Sequence, residues 1–400
     1  MNSERNRSSV YPVFLLTLGH FLSDFYSNFL PALLPVVLGS LGLSLTSGGL
    51  LVMVHSFTSS VMQPVCGYYV DKSGYTWLLL LTIPASAIFI SLAGIAENYI
   101  LLFIAVGLAG LGSSLYHPVA SSLVGKVTAE TSRGRAMAIF IGGGNFGFAI
   151  APAVIIYMLI NYGTASLPWL ILPGLLLTAC FYYSGIQRIV LKAASHSQQR
   201  TGQPWYKSIS LLKLNFAMGL KSWTQVALPT FLPIWLAQQG HAPTVAANML
   251  TVYLTAGAIG SLAGGYVGDR LGRKRAIIGS LVVCLPAMYY LIAAEQLTPL
   301  TWLALTVSGA ALQGIIPSSV IWAQDMIPDK AAMASGMMLG LSFGLGGLGT
   351  ALTGAAADIW GLKTAMMWTL VPLALAIPFT CWISENIPSS KIIVSTSVNN

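Results

Sequence analysis

Apolar residues run along this chain in long blocks, separated by short polar or Gly/Pro-containing stretches, and they do not alternate singly. A helix needs ~20 mostly apolar residues to cross the hydrocarbon core of a bilayer. The strands of a closed membrane barrel would instead show short alternating segments. The blocks predict twelve transmembrane helices, over 11–39, 48–70, 76–96, 98–125, 134–162, 165–188, 208–238, 244–268, 274–294, 299–324, 332–358 and 363–384. The longest interior polar stretch, Lys192 to Lys207, falls almost midway. The predicted fold is therefore an all-α membrane protein. It has an N-terminal six-helix bundle over 1–191, a cytoplasmic linker over 192–207 and a C-terminal six-helix bundle over 208–400.

Composition supports lipid as the solvent of the exterior. Of the 400 residues 55% are hydrophobic and 8% are charged, against ~25% charged in soluble domains. A net charge of +8 in a soluble protein would raise nucleic acid as a partner. Here the basic residues sit in short loops, so a bilayer is expected and nucleic acid is not. With both termini cytoplasmic, seventeen Lys and Arg lie on inside segments and only Lys363 lies outside, with Lys221 left within a span. That bias sets the orientation. The first apolar block lacks a small-residue cleavage site and reads as a retained span. Cys66, Cys180, Cys284 and Cys381 all fall in apolar blocks without metal-type spacing. No nucleophile elbow, H-E-x-x-H, P-loop or C-x-x-C is present. An enzyme is not expected, nor a cofactor, and energy for any transport would come from an ion or solute gradient.

The halves superpose at one constant offset of 198 residues. Leu30-Pro31-Ala32-Leu33-Leu34-Pro35 matches Leu228-Pro229-Thr230-Phe231-Leu232-Pro233, and Gly67, Asp71, Lys72 and Gly74 match Gly265, Asp269, Arg270 and Gly272. Parallel repeats of this kind are a transporter architecture, with the solute site between them near the bilayer midplane. The stretch from Gly265 through Asp269, Arg270, Gly272, Arg273 and Lys274 resembles the signature loop of the major facilitator superfamily, G-x-x-x-D-R-x-G-R-K. More narrowly, the chain resembles fosmidomycin-resistance-type exporters. The segments that carry this resemblance are His20 to Asp24, Gln63 to Tyr68, Gly112 to Pro118, Gly143 to Gly147, Ala323 to Asp325 and Phe343 to Gly349. The resemblance implies efflux of a small polar antibiotic or metabolite in exchange for protons, by a monomer in a bacterial inner membrane. A proton-coupled importer or facilitator, and a non-transporting membrane sensor, are the alternatives. One departure stands out. Many proton-driven exporters of the superfamily carry an arginine in span 4, whereas Leu108 to Ser114 holds no basic residue.

Asp24 is the most informative single residue. A carboxylate at membrane depth costs ~3 kcal/mol or more, so such residues face the bundle interior and have a function. His20, four positions earlier, shares its helix face, as does Asn28. His20 and Asp24 form a candidate proton-coupling pair, or a structural hydrogen-bonded pair without proton traffic. Lys221 corresponds to Ser23 under the offset. It is a candidate to hold an anionic group of the substrate, or to neutralise Asp24. His55, Gln63, His117, Asn145, Gln225 and Gln313 are weaker substrate-binding candidates, since polar residues within spans commonly join helices. Gly67, Asp71, Lys72, Gly265, Asp269, Arg270, Gly272, Arg273 and Asp325 form a candidate conformational latch. In it an acidic group at a helix end docks on the N-terminus of a neighbouring helix, and Arg270 and Lys72 pair with carboxylates near span ends, for which Asp325 and Glu130 are the candidates. The glycine runs at Gly142–Gly147 and Gly340–Gly349 are expected to be packed seams that can rock.

Overall fold

The computed structural model describes residues 2–129, 133–189, 207–327 and 331–384, with side chains described for all of these except 2–9, 71–72, 133–134 and 331–332. The linker expected over 192–207 therefore lies outside the described residues, apart from its last position. Twelve long helices follow one another. They are α1 Val10–Ser40, α2 Leu45–Val70, α3 Thr76–Ala93, α4 Tyr99–Val127, α5 Arg135–Tyr162 and α6 Thr164–Ser184, then α7 Ile209–Gln238. After it come α8 Pro243–Leu271, α9 Arg273–Ala293, α10 Pro299–Met326, α11 Met333–Trp360 and α12 Leu362–Cys381. By length and composition, all but α7 are apolar enough to cross a membrane. α7 carries Lys213, Asn215, Lys221 and Gln225, and it is packed by protein along most of its length. A helix screened from lipid needs no continuous apolar surface.

Two departures from regular helix concern the site. α1 is expected as one helix over 11–39 but breaks at Asn28–Phe29, with regular helix over Asn2–Ser27 and Leu30–Ser40. Pro31 has no N–H for the ladder and suits the first turn of a new helix. Asn28 caps the break sideways, donating from Nδ2 to the Phe148 carbonyl of α5 at 2.8 Å. α2 and α11 each contain one π-helical turn, Phe57–Val61 and Met337–Leu341. The two wide turns pack against each other across the molecule.

The repeat read from the sequence reappears in the packing. In the first half α1 packs on α5, and α2 and α3 pack on α4; in the second α7 packs on α11, and α8 and α9 pack on α10. Gly42, Gly74 and Gly163 turn the chain with φ of 60°, 66° and 69°, and Gly240, Gly272 and Gly361 do so with 81°, 88° and 82°. Each pair is separated by the same 198 positions, at loops where only glycine adopts a left-handed φ without strain. The Tyr26 hydroxyl donates to the Leu170 carbonyl at 2.7 Å, and the Thr224 hydroxyl donates to the Thr369 carbonyl at 2.7 Å, fixing α1 to α6 and α7 to α12 alike.

The halves meet through α2 with α11, α5 with α8, and the Leu30–Ser40 segment of α1 with α7. α4 and α10 make their substantial contacts inside their own halves. The glycine runs divide differently from expectation. Gly143 and Gly147 press α5 onto Thr17 and Phe21 of α1, a seam inside one half. Gly340 and Gly347 bring α11 onto Ser60, Ser56 and Met53 of α2, a seam between halves, while Gly346 and Gly349 face Ser222 and Trp223 of α7. Small residues permit this backbone approach, on which helix association in lipid depends.

Candidate functional site

Asp24 sits at the centre of a polar network that joins α1, α4 and α5. Its Oδ2 is 3.3 Å from His20 Nε2, one helical turn away, and its Oδ1 is 3.4 Å from His117 Nε2 of α4. The side chains of His20, Asp24 and His117 are 9%, 18% and 25% exposed, so the network is sheltered most at α1 and opens towards His117. His20 Nδ1 lies 2.8 Å from the Phe140 carbonyl of α5. A carbonyl only accepts, so Nδ1 carries a hydrogen. The His20 ring also stacks on Phe140 at 4.2 Å and meets the His117 ring edge-on at 5.0 Å. Beyond His117 the network runs to Ser113 Oγ at 3.4 Å and from there to Ser27 Oγ at 3.0 Å. The adjacent Tyr116 hydroxyl donates to the Leu16 carbonyl at 2.5 Å and holds α4 on α1.

Helical spacing in the sequence pairs His20 with Asp24. The third member, His117, comes from a different helix, and only tertiary packing brings it there. Gly144 makes the space: a Cβ at that position would stand 2.6 Å from Asp24 Oδ2 and 2.6 Å from His20 Nε2. α5 thus presents a bare backbone to the network.

Lys221 lies elsewhere. It is 2% exposed inside the second half. Its Nζ donates to Gln225 Oε1 on the same helix, and it stands 5.9 Å from the centre of the Phe343 ring of α11. Among the described residues the Asp24 carboxylate is paired with the two imidazoles and not with Lys221, which is therefore not its counter-charge in this conformer. Gln225 Nε2 is buried without a hydrogen-bond partner among the described residues.

The remaining candidates scatter. His55 is buried on α2. Gln63 Nε2 donates to the Ser59 carbonyl one turn back, at 2.9 Å. Gln313 packs against Gly257 of α8. Asn145 is exposed on the face of α5 turned away from α1. A Cβ added at Gly67 would stand 3.6 Å from Pro118 and one added at Gly265 would stand 3.6 Å from Pro317, so the two loop motifs occupy equivalent places. The side chains of Asp71 and Lys72 lie outside the described residues. Asp269 is exposed and makes no hydrogen bond or ion pair among the described residues. Asp325 pairs with Arg273, Nε to Oδ2 at 3.2 Å. Arg270 is not the partner of Asp325 and lies 4.5 Å over the Tyr266 ring on its own helix, and the other candidate carboxylate, Glu130, lies outside the described residues. Gly272 supplies the turn between α8 and α9, and Lys274 donates to the Ile383 carbonyl at 2.8 Å.

Asp358, near the end of α11, makes contacts between the halves that sequence reasoning misses. Its carboxylate accepts from Leu45 N at 2.9 Å, from Thr46 N at 2.8 Å and from the Thr46 hydroxyl at 2.5 Å. These donors form the N-terminus of α2 in the opposite half. An acidic group on free helix N–H donors is the chemistry expected of the latch. It is realised here at the opposite end of the bundle from Asp269, the end that carries the Gly42 and Gly240 turns.

Comparison with known proteins agrees with the architecture. The model of the Major Facilitator Superfamily matches residues 16–227 and 214–397. An uncharacterized MFS-type transporter of Bacillus subtilis is 30% identical over 370 residues, 90% of each chain. The fosmidomycin resistance protein of Escherichia coli is 29% identical over 354 residues, 86% of this chain and 85% of that one. Among solved structures, a bacterial homolog of the human lysosomal transporter Spinster, inward-facing and occupied, superposes with a TM-score of 0.80 at 15% identity, covering 94% of this chain and 96% of that one. A multi-pass helical membrane protein with this repeat, this loop motif and this family match is a transport protein and not an enzyme: the chain belongs to the major facilitator superfamily of secondary transporters.

Proposed function

We propose that this protein exports a small polar solute across a bacterial inner membrane in exchange for protons, by alternating access of its two halves. The observation that carries the reading is the His20–Asp24–His117 network. It places three groups able to pass protons on two helices of one half, within the bundle and open on one side. The arginine that many relatives use in span 4 has no counterpart here, and His117 on α4 fills that place with a group that both gains and loses protons. With the termini cytoplasmic, the Asp358 contacts close the periplasmic end, while Asp269 at the cytoplasmic end makes no such contact among the described residues, and this supports an inward-facing conformer. Exchange then requires the Asp358 contacts to break and those of Asp269 to form.

Lys221 and Gln225 are the proposed contact for an anionic group of the solute. Their support is a cation without a carboxylate partner among the described residues, next to an amide nitrogen that also lacks one. The likeness to a fosmidomycin resistance protein supports efflux, since that name denotes protection from an antibiotic.

Inverted membrane vesicles loaded with an acidic lumen test the coupling. Solute accumulation driven by that gradient, and abolished by a protonophore, is the expected result. Accumulation that the gradient opposes would instead indicate symport, the reading of an importer. No flux of any solute in a panel of phosphonates, hydroxamates and sugar acids would refute transport by this site.

A further inference from the structure

The network around Asp24 has a second chemical capacity. The contacts of its carboxylate to the two imidazole nitrogens, 3.3 and 3.4 Å, are longer than the 2.7–2.9 Å of a charge-assisted N–H···O bond. The contacts go to different oxygens of Asp24, Oδ2 for His20 and Oδ1 for His117, and each is near the about 3.3–3.4 Å that separates two ligands held about 2.0–2.1 Å from one ion. One ligand atom from each of His20, Asp24 and His117 falls within 4.8 Å of the others.

The surrounding bonds suit a metal as well. The hydrogen on His20 Nδ1 is held by the Phe140 carbonyl at 2.8 Å. That bond leaves Nε2 facing Asp24, and a backbone carbonyl on the other ring nitrogen is the usual partner of a metal-ligating histidine. An imidazole nitrogen and a carboxylate oxygen that face each other need a shared proton or a metal ion between them. Two imidazoles and one carboxylate carry a net charge of −1 and are borderline ligands, a set that selects zinc-class divalent ions over magnesium or calcium. The backbone of Gly144 leaves the centre unobstructed, and the side towards His117 is the most exposed.

We infer that His20, Asp24 and His117 form a three-ligand site for a divalent transition cation of the zinc class, with one coordination position left open on the side of His117. The site ties α1 to α4, and it stands whether or not protons drive transport.

The full chain, purified in detergent without a polyhistidine tag and stripped with chelator, tests this by titration with Co²⁺ and Zn²⁺. The expected result is one Co²⁺ per chain, with the visible absorption of a four- or five-coordinate ion, displaced by Zn²⁺. X-ray absorption of the zinc form should show two imidazoles in its shell. His117→Ala and Asp24→Asn should each weaken binding by about tenfold or more. Gly144→Ala keeps every ligand but places a methyl group in the site, and should weaken binding as well. A zinc shell without imidazole, sub-stoichiometric binding by the wild type, or full affinity in His117→Ala would overturn the inference. The X-ray absorption reading needs no variant to fold. Vesicle flux is a separate measurement, so proton exchange and metal binding can fail independently.

Discussion

Asp358→Ala perturbs the balance between the two access states at one defined point. The carboxylate holds three donors at the N-terminus of α2, at 2.9, 2.8 and 2.5 Å, across the boundary between halves. Hydrogen bonds to charged groups contribute about 1.5–3 kcal/mol each when sheltered. This side chain is exposed, so water replaces much of what is lost, and the loss of a helix cap, about 0.5–2 kcal/mol, is the better guide for the whole set. We take about 1–2 kcal/mol, a factor of about 5–30 in the ratio of the two conformers. The bonds exist only while the start of α2 and the end of α11 are together, so their loss favours the conformer open at that end. Spin labels at Ser40 and Gln239, exposed positions at that end in opposite halves, report the change by pulsed dipolar spectroscopy after the four cysteines are replaced. The long-distance population should grow by that factor in Asp358→Ala. It should grow less in Asp358→Asn, which keeps an acceptor, and in Thr46→Val, which removes only the hydroxyl. Superimposable distance distributions for folded wild type and Asp358→Ala would show that the contact does not bias the equilibrium.

Asp24→Asn should reduce gradient-driven accumulation by about tenfold or more while solute counterflow without a gradient persists, because only the charge-bearing oxygen is changed; equal losses in both assays would point to a structural role. Gly147→Ala directs a methyl into the Phe21 carbonyl of α1 and should cost about 1–3 kcal/mol of stability, read as a lower midpoint of thermal unfolding in detergent. Tyr26→Phe and Thr224→Val remove equivalent bonds in the two halves and should each cost about 0.6–1.7 kcal/mol; a large cost in one and none in the other would contradict the equivalence. Lys221→Met should leave the midpoint unchanged or raise it, since a buried charge without a carboxylate partner is replaced by an apolar side chain. The same variant should weaken an anionic solute about tenfold, the equivalent of about 1.4 kcal/mol, and should spare a neutral one.

Span number and repeat were legible in the sequence because lipid imposes a length rule on every helix and the repeat preserves spacing. Gly74 and Gly272 could be paired by arithmetic alone. His20 and Asp24 were legible for a similar reason, since four-residue spacing places them on one helix face. Neither His117 nor Asp358 could be assigned a partner that way. The partners of each lie on another helix, more than ninety positions from His117 and more than three hundred from Asp358, and hydropathy carries no information on how helices are turned towards each other. Arg273 took Asp325 in place of Arg270 for a related reason. Both arginines lie within reach of the same bundle end, and only the rotation of α8 about its axis directs Arg270 back over Tyr266. The seam formed by Gly142–Gly147 was visible as a seam, but its partner helix was not.

α7 has a consequence for how the protein is made. A lysine at the centre of a nascent helix raises the cost of leaving the translocon by about 2.5–3.5 kcal/mol, and Lys221 is joined there by Asn215 and Gln225. The bonds that tie α7 into its half run from Trp223 to Thr353 and from Thr224 to the Thr369 carbonyl, on helices synthesised more than a hundred residues later. The packing that seats α7 is therefore complete only once α11 and α12 have been made, and a chain cut short before α11 should lack the partners that hold this segment in the second half.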